Sequence, residues 1–83
     1  MLFAELREDL VEYLKIHQLE KKWERKKSLF ENDFKHKSLN TELLEPRWRG
    51  IYSFRIDSKY RALFFFLDDQ NIEVIAITNH YRR

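Results

Sequence analysis

Cysteine is absent from this sequence, and glycine and proline each occur once. Without cysteine there can be no disulfide, no zinc–thiolate centre and no thiol nucleophile, and a reducing compartment is expected. So little Gly and Pro argues against a turn-dense β-sandwich. No apolar run approaches the ~20 residues that cross a bilayer. The opening MLFAELREDL becomes charged at once, which a secretory signal does not do. A cytoplasmic protein without membrane contact is the expectation. Neither sign of charge dominates, with 16 Lys and Arg against 14 Asp and Glu and a net charge of +2. The position of the charges therefore matters more than their sum.

What the chain does have is apolar and aromatic weight. Its 43% hydrophobic and 16% aromatic content excludes a disordered segment. At 83 residues it is expected to form one domain, residues 1–83, with one core. A core of this size supplies only ~3–5 kcal/mol of net stability. Its seven Phe, four Tyr and two Trp therefore carry much of the packing.

The hydrophobic period changes midway. Phe3, Leu6, Leu10, Tyr13 and Leu14 recur at three- and four-residue steps, which predicts a helix running from about the third residue. Leu19, Trp23, Phe30 and Phe34 continue the step, and a break near His17–Gln18 predicts a helical hairpin. Between those apolar positions lie Lys21, Lys22, Arg25, Lys26 and Lys27, a run that reads first as a solvated helix face. Residues 35–50 hold Pro46 and Gly50 and predict a long connection with at most a short helical turn.

From Ile51 the period is two. Tyr52, Phe54 and Ile56 share one face, and Ser53, Arg55 and Asp57 share the other. Turns at Asp57–Ser58 and at 68–71 separate this strand from KYRALFFFL and IEVIAIT. The result is an α+β prediction: two N-terminal helices on an antiparallel sheet of three strands, with a fourth possible. The apolar middle strand belongs at the centre of that sheet.

In such a meander Arg55 and Arg61 lie near each other across a short turn, and the end of the third strand returns beside them. Two adjacent guanidinium groups call for an anion, either a carboxylate or a phosphate. Glu42 and Glu45 precede the sheet and are both candidates for a proton-accepting carboxylate. His80 is a candidate proton donor. The plain alternative is a surface histidine and cross-strand ion pairs, Arg55 with Asp57 or Arg61 with Glu73.

The stretch from Lys37 to Arg83 resembles the C-terminal half of RelE/ParE toxins. It carries Gly50, then Tyr52-Ser53-Phe54-Arg55-Ile56, Tyr60-Arg61, the apolar strand Ile72 to Ile77, and a closing His80-Tyr81. That His-Tyr ending is most similar to the YoeB-like, ribosome-dependent endoribonucleases. Ser53 stands where the RelE branch has a lysine.

The resemblance implies a RelE-like fold and a toxin that cleaves mRNA at the ribosome under the control of a cognate antitoxin. Glu42 would be the general base, Arg61 the phosphate-stabilising group and His80 the acid. Tyr81 would stack on a base or orient the phosphate. Arg55, Lys59, Arg82 and Arg83 would be further phosphate contacts. The chemistry needs no metal and no small-molecule cofactor. Two other readings fit the same fold, a ParE-like toxin that binds gyrase and a binding module without catalysis.

Overall fold

The computed structural model describes residues 1–79. Residues 80–83 lie outside the described region, and with them the sequence-predicted His80, Tyr81, Arg82 and Arg83. Chain order runs β1 (Leu2–Phe3), α1 (Glu8–Ile16), α2 (Glu20–Asn32), β2 (Glu42–Leu43), β3 (Tyr52–Arg55), β4 (Arg61–Phe66) and β5 (Asn71–Thr78), with 3-10 turns at Lys37–Leu39 and Arg47–Arg49.

The period-two segments form the predicted antiparallel meander β3–β4–β5. Each of its turns is built on an aspartate. Asp57 Oδ1 accepts the backbone N–H of Lys59 at 2.9 Å and of Tyr60 at 2.7 Å. Asp68 Oδ1 accepts those of Gln70 and Asn71 at 2.8 and 2.9 Å. A short carboxylate that bonds backbone two and three residues on mimics a turn and stops the strand.

The class is α+β with two helices against a sheet, as predicted, but the described sheet is larger and mixed. It has five strands in the order β1-β5-β4-β3-β2. β2 adds antiparallel to β3, and β1 adds parallel to β5. The expected helix from Phe3 is therefore corrected: residues 2 and 3 are strand, and the helix starts at Glu8. Leu2 N–H donates to the Gln70 carbonyl and Ala4 N–H to that of Ile72, both at 2.8 Å. The free edge of β5 supplies these partners, so pairing overrides the local pattern. Phe3 and Leu6 do pack on the core, but from a strand and a loop rather than from a helix face.

The helical hairpin closes without glycine. Gln18 takes the left-handed conformation (φ 56°). Its N–H donates to the Lys15 carbonyl at 3.1 Å, and Leu19 N–H donates to the Leu14 carbonyl at 2.8 Å. This is the Schellman bond pair, completed by burial of both Leu14 and Leu19. Part of the basic run on α2 ties the layers together. Lys22 Nζ donates to Asp57 Oδ2 at 2.9 Å, and Lys26 Nζ to the Ser38 carbonyl at 3.4 Å.

Between helices and sheet lies an aromatic core. Phe30 sits 5.1 Å from Phe54 and 5.3 Å from Phe64, ring centre to ring centre, and Trp23 stacks on Phe54 at 5.8 Å. Phe30, Phe54 and Phe64 are fully buried. Such edge and offset contacts add about 0.5–1.5 kcal/mol per pair beyond area burial. β4, flanked by β3 and β5, is the centre of the sheet as its composition requires.

Candidate active site

Strand register assembles the site on the sheet face opposite the aromatic core. Arg55 and Arg61 are direct cross-strand partners in β3 and β4. Glu42 pairs with Ser53 across β2 and β3, which puts it on the same face. Thr78, the last residue of β5, pairs with Arg61. Arg61 therefore has β3 on one side and the end of β5 on the other.

Arg61 does not lie on the open surface that strand alternation alone implies. It is 7% exposed, and Ser53 beneath it is fully buried. The connection from α2 to β3 folds over this end of the sheet and covers both. Arg61 Nε donates to Ser53 Oγ at 3.0 Å, and Nη2 donates to the Asn40 carbonyl at 2.6 Å. A longer contact of 3.5 Å runs from Nη2 to the Ser53 carbonyl. A buried hydroxyl and a backbone carbonyl thus set the plane of the guanidinium. Asn40 takes the left-handed conformation (φ 47°), which turns the chain out of the 3-10 turn and into β2.

Glu42 Oε2 lies 4.0 Å from Arg61 Nη2, and its side chain is 19% exposed. The two carboxylates that spacing alone left open, of which the resemblance favours Glu42, differ in position. Glu45 is 80% exposed and stands 3.6 Å from Arg47, in the turn before β3. Register brings Glu42 to the arginines and leaves Glu45 out.

These groups line a cleft of about 310 Å³ bounded by Asn40, Glu42, Arg55, Asp57, Ser58, Lys59 and Arg61. Asp57 is already committed there. Burial pushes its carboxyl up, but the Lys22 hydrogen bond and the N–H groups of Tyr60 and Lys59 outweigh that, leaving it below its ordinary value. It works as an ionised turn anchor. Of the cleft carboxylates, Glu42 is the one facing the buried arginine.

Arg55 and Lys59 are exposed at the mouth. Against the alternative of simple cross-strand pairing, Glu73 stands opposite Phe65, four residues along β4 from Arg61. The arrangement can hold a phosphate between guanidinium groups with a carboxylate beside it.

Two residues that sequence reasoning missed are Asn40 and Ser53. Asn40 acts through its backbone carbonyl, so its side chain carries no signal. For Ser53 the signal was present, a small hydroxyl on the same face as Arg55 and two residues before it, but its burial depended on the covering loop.

No family model matches the sequence, and no curated protein does. Solved structures do match. The chain superimposes with a TM-score of 0.67 and 20% identity on a chain of the heterotetrameric YoeB–YefM toxin–antitoxin complex from Staphylococcus aureus, covering 96% of this chain and 94% of that one. The YoeB dimer from Staphylococcus aureus gives a TM-score of 0.65 and 21% identity over the same shares. With two helices packed against a five-stranded sheet, the chain has the α+β fold of these YoeB structures.

Proposed function

We propose that this chain is the toxin of a type II toxin–antitoxin pair and that it cleaves mRNA, at the ribosome, without a metal ion. The observation that carries the reading is the Glu42–Arg61 pair, 4.0 Å apart in a cleft that also holds Arg55 and Lys59. A gyrase-binding toxin has no use for a carboxylate held beside a buried arginine. The likeness to YoeB in complex with YefM supports an antitoxin partner.

In the proposed reaction Glu42 removes the proton from a ribose 2′-OH, and the 2′-oxygen forms a bond to the adjacent phosphorus. Arg61 and Arg55 stabilise the extra negative charge of the pentavalent centre. The bond from phosphorus to the 5′-oxygen breaks as His80 supplies that oxygen with a proton. The products are a 2′,3′-cyclic phosphate and a free 5′-OH. Tyr81 stacks on a base or orients the phosphate, while Lys59, Arg82 and Arg83 hold flanking phosphates.

The test is induction of the chain alone in a bacterial host beside Arg61→Ala and His80→Ala. Growth arrest with new mRNA 5′ ends, lost in both variants, is expected. Normal growth with folded wild-type protein overturns the reading, and arrest with inhibited supercoiling and intact mRNA moves it to gyrase.

A further inference from the structure

Trp48 is 83% exposed, although tryptophan is among the side chains with most to gain from burial. It stands in the 3-10 turn Arg47–Arg49, and that turn is firmly tied. Arg49 N–H donates to the Pro46 carbonyl at 3.1 Å, and Gly50 N–H to that of Arg47 at 3.0 Å. Gly50 takes the left-handed conformation (φ 66°) that returns the chain to β3. Below the turn, Leu44 N–H closes the stem on the Ile51 carbonyl at 2.8 Å. An indole held out on a fixed support loses little freedom when it docks.

Cations flank it. The Arg49 guanidinium lies 5.7 Å from the centre of the Trp48 ring. Arg47 is 77% exposed, and its 3.6 Å contact with the equally exposed Glu45 contributes little. Trp and Arg are the side chains that most often anchor a protein contact, seated in a pocket of the partner. The pocket that suits this turn is apolar, with carboxylates at its edge.

The helical layer carries one. A groove of about 300 Å³ between α1 and α2 is lined by Leu6, Val11, Leu14, Glu20, Trp23 and Glu24, and by no cation. Leu14 and Trp23 are its buried floor, and Val11 is partly open to solvent. Glu20 and Glu24 stand one turn apart on α2, both exposed. Neither has an ion-pair partner among the described residues. Like charges at that spacing repel, which favours an incoming cation. A larger hollow, walled by Lys35 and Lys37, has the same sign of charge as the turn and disfavours it.

The turn follows β2, at one edge of the sheet, whereas Leu6 follows β1, at the other. Projection and groove therefore belong to different sides of the molecule, which suits contact between two copies.

We propose that Trp48 of one copy of this chain docks in the α1–α2 groove of a second copy, with Arg47 and Arg49 meeting Glu20 and Glu24. The contact is heterologous, because different surfaces of the two copies meet. It is independent of the nuclease reading, since neither surface lines the cleft.

The experiment is sedimentation equilibrium of the full chain from about 10 µM to 1 mM, the range of small transient contacts. The mass of the wild type should rise with concentration. Trp48→Ala, and separately Glu20→Lys with Glu24→Lys, should each weaken association by about tenfold or more. An equimolar mixture of the two variants should regain association, because the first keeps the groove and the second keeps Trp48. A misfolded variant could not do this. A monomer mass at every concentration, association that both variants retain, or a mixture that stays monomeric overturns the proposal. Monomeric wild type whose affinity for a 2′-O-methyl RNA trinucleotide falls in Trp48→Ala overturns it in favour of an RNA contact.

Discussion

Arg61 donates from Nη2 to the backbone carbonyl of Asn40 at 2.6 Å, across 21 positions of sequence. One side chain therefore pins the long connection onto the sheet and presents its own charge beside Glu42. Its Nε–H is directed to the hydroxyl of the buried Ser53, so the head group has a defined plane before any ligand arrives. Such preorganisation is what makes a cation effective at a developing phosphorane.

That geometry requires a fork rather than a point charge. Arg61→Lys cannot reach Ser53 Oγ and the Asn40 carbonyl together. It should lower stability by about 1–2 kcal/mol in urea denaturation and reduce cleavage roughly 100-fold by mapping of 5′ ends. Ser53→Ala removes one buried partner, so about 1 kcal/mol is lost and cleavage falls less.

Glu42 and Glu45 should separate completely. Glu42→Gln keeps the shape and removes the proposed base, and cleavage should fall by about 10²–10⁴. Glu45→Gln touches an exposed pair with Arg47, and cleavage and stability should both stay within error. Equal losses in the two variants would contradict the register of β2 with β3.

Gln18 occupies a backbone position that favours glycine (φ 56°). Gln18→Gly relieves the left-handed strain, offset in part by the greater freedom of glycine in the unfolded chain. A net gain of about 0.5–1 kcal/mol is expected, seen as a higher melting temperature with cleavage unchanged.

Asp57 makes stability fall with acid. Its carboxyl titrates lower in the folded protein than in the unfolded chain, since Lys22 and the turn N–H groups favour the anion over the opposing effect of burial. Its contribution is therefore full above the unfolded value and is lost as pH falls through the folded one. Asp57→Asn loses the ion pair with Lys22, so its stability should change less than that of wild type between about pH 5 and 3, as followed by circular dichroism.

Much of this protein is written in its local pattern. The period of two from Ile51, with aspartates at both turns, determines the meander, because side-chain alternation and turn chemistry act within a few residues. The three- and four-residue steps likewise determine the helical pair around Leu14, Leu19, Trp23 and Phe30. Arg55 and Arg61 as neighbours follow from a short turn alone.

The rest needed distant partners. Residues 2 and 3 are strand because the edge of β5 offers them hydrogen bonds, and their own spacing reads as helix. Glu42 is chosen over Glu45 by pairing with Ser53, a relationship invisible to spacing. Arg61 reads as a surface cation in sequence and becomes nearly buried only when the connection through Asn40 closes over it. Composition and period act along the chain and decide which elements form. Register, edge pairing and loop coverage act between segments far apart in sequence, and they decide which carboxylate meets which arginine.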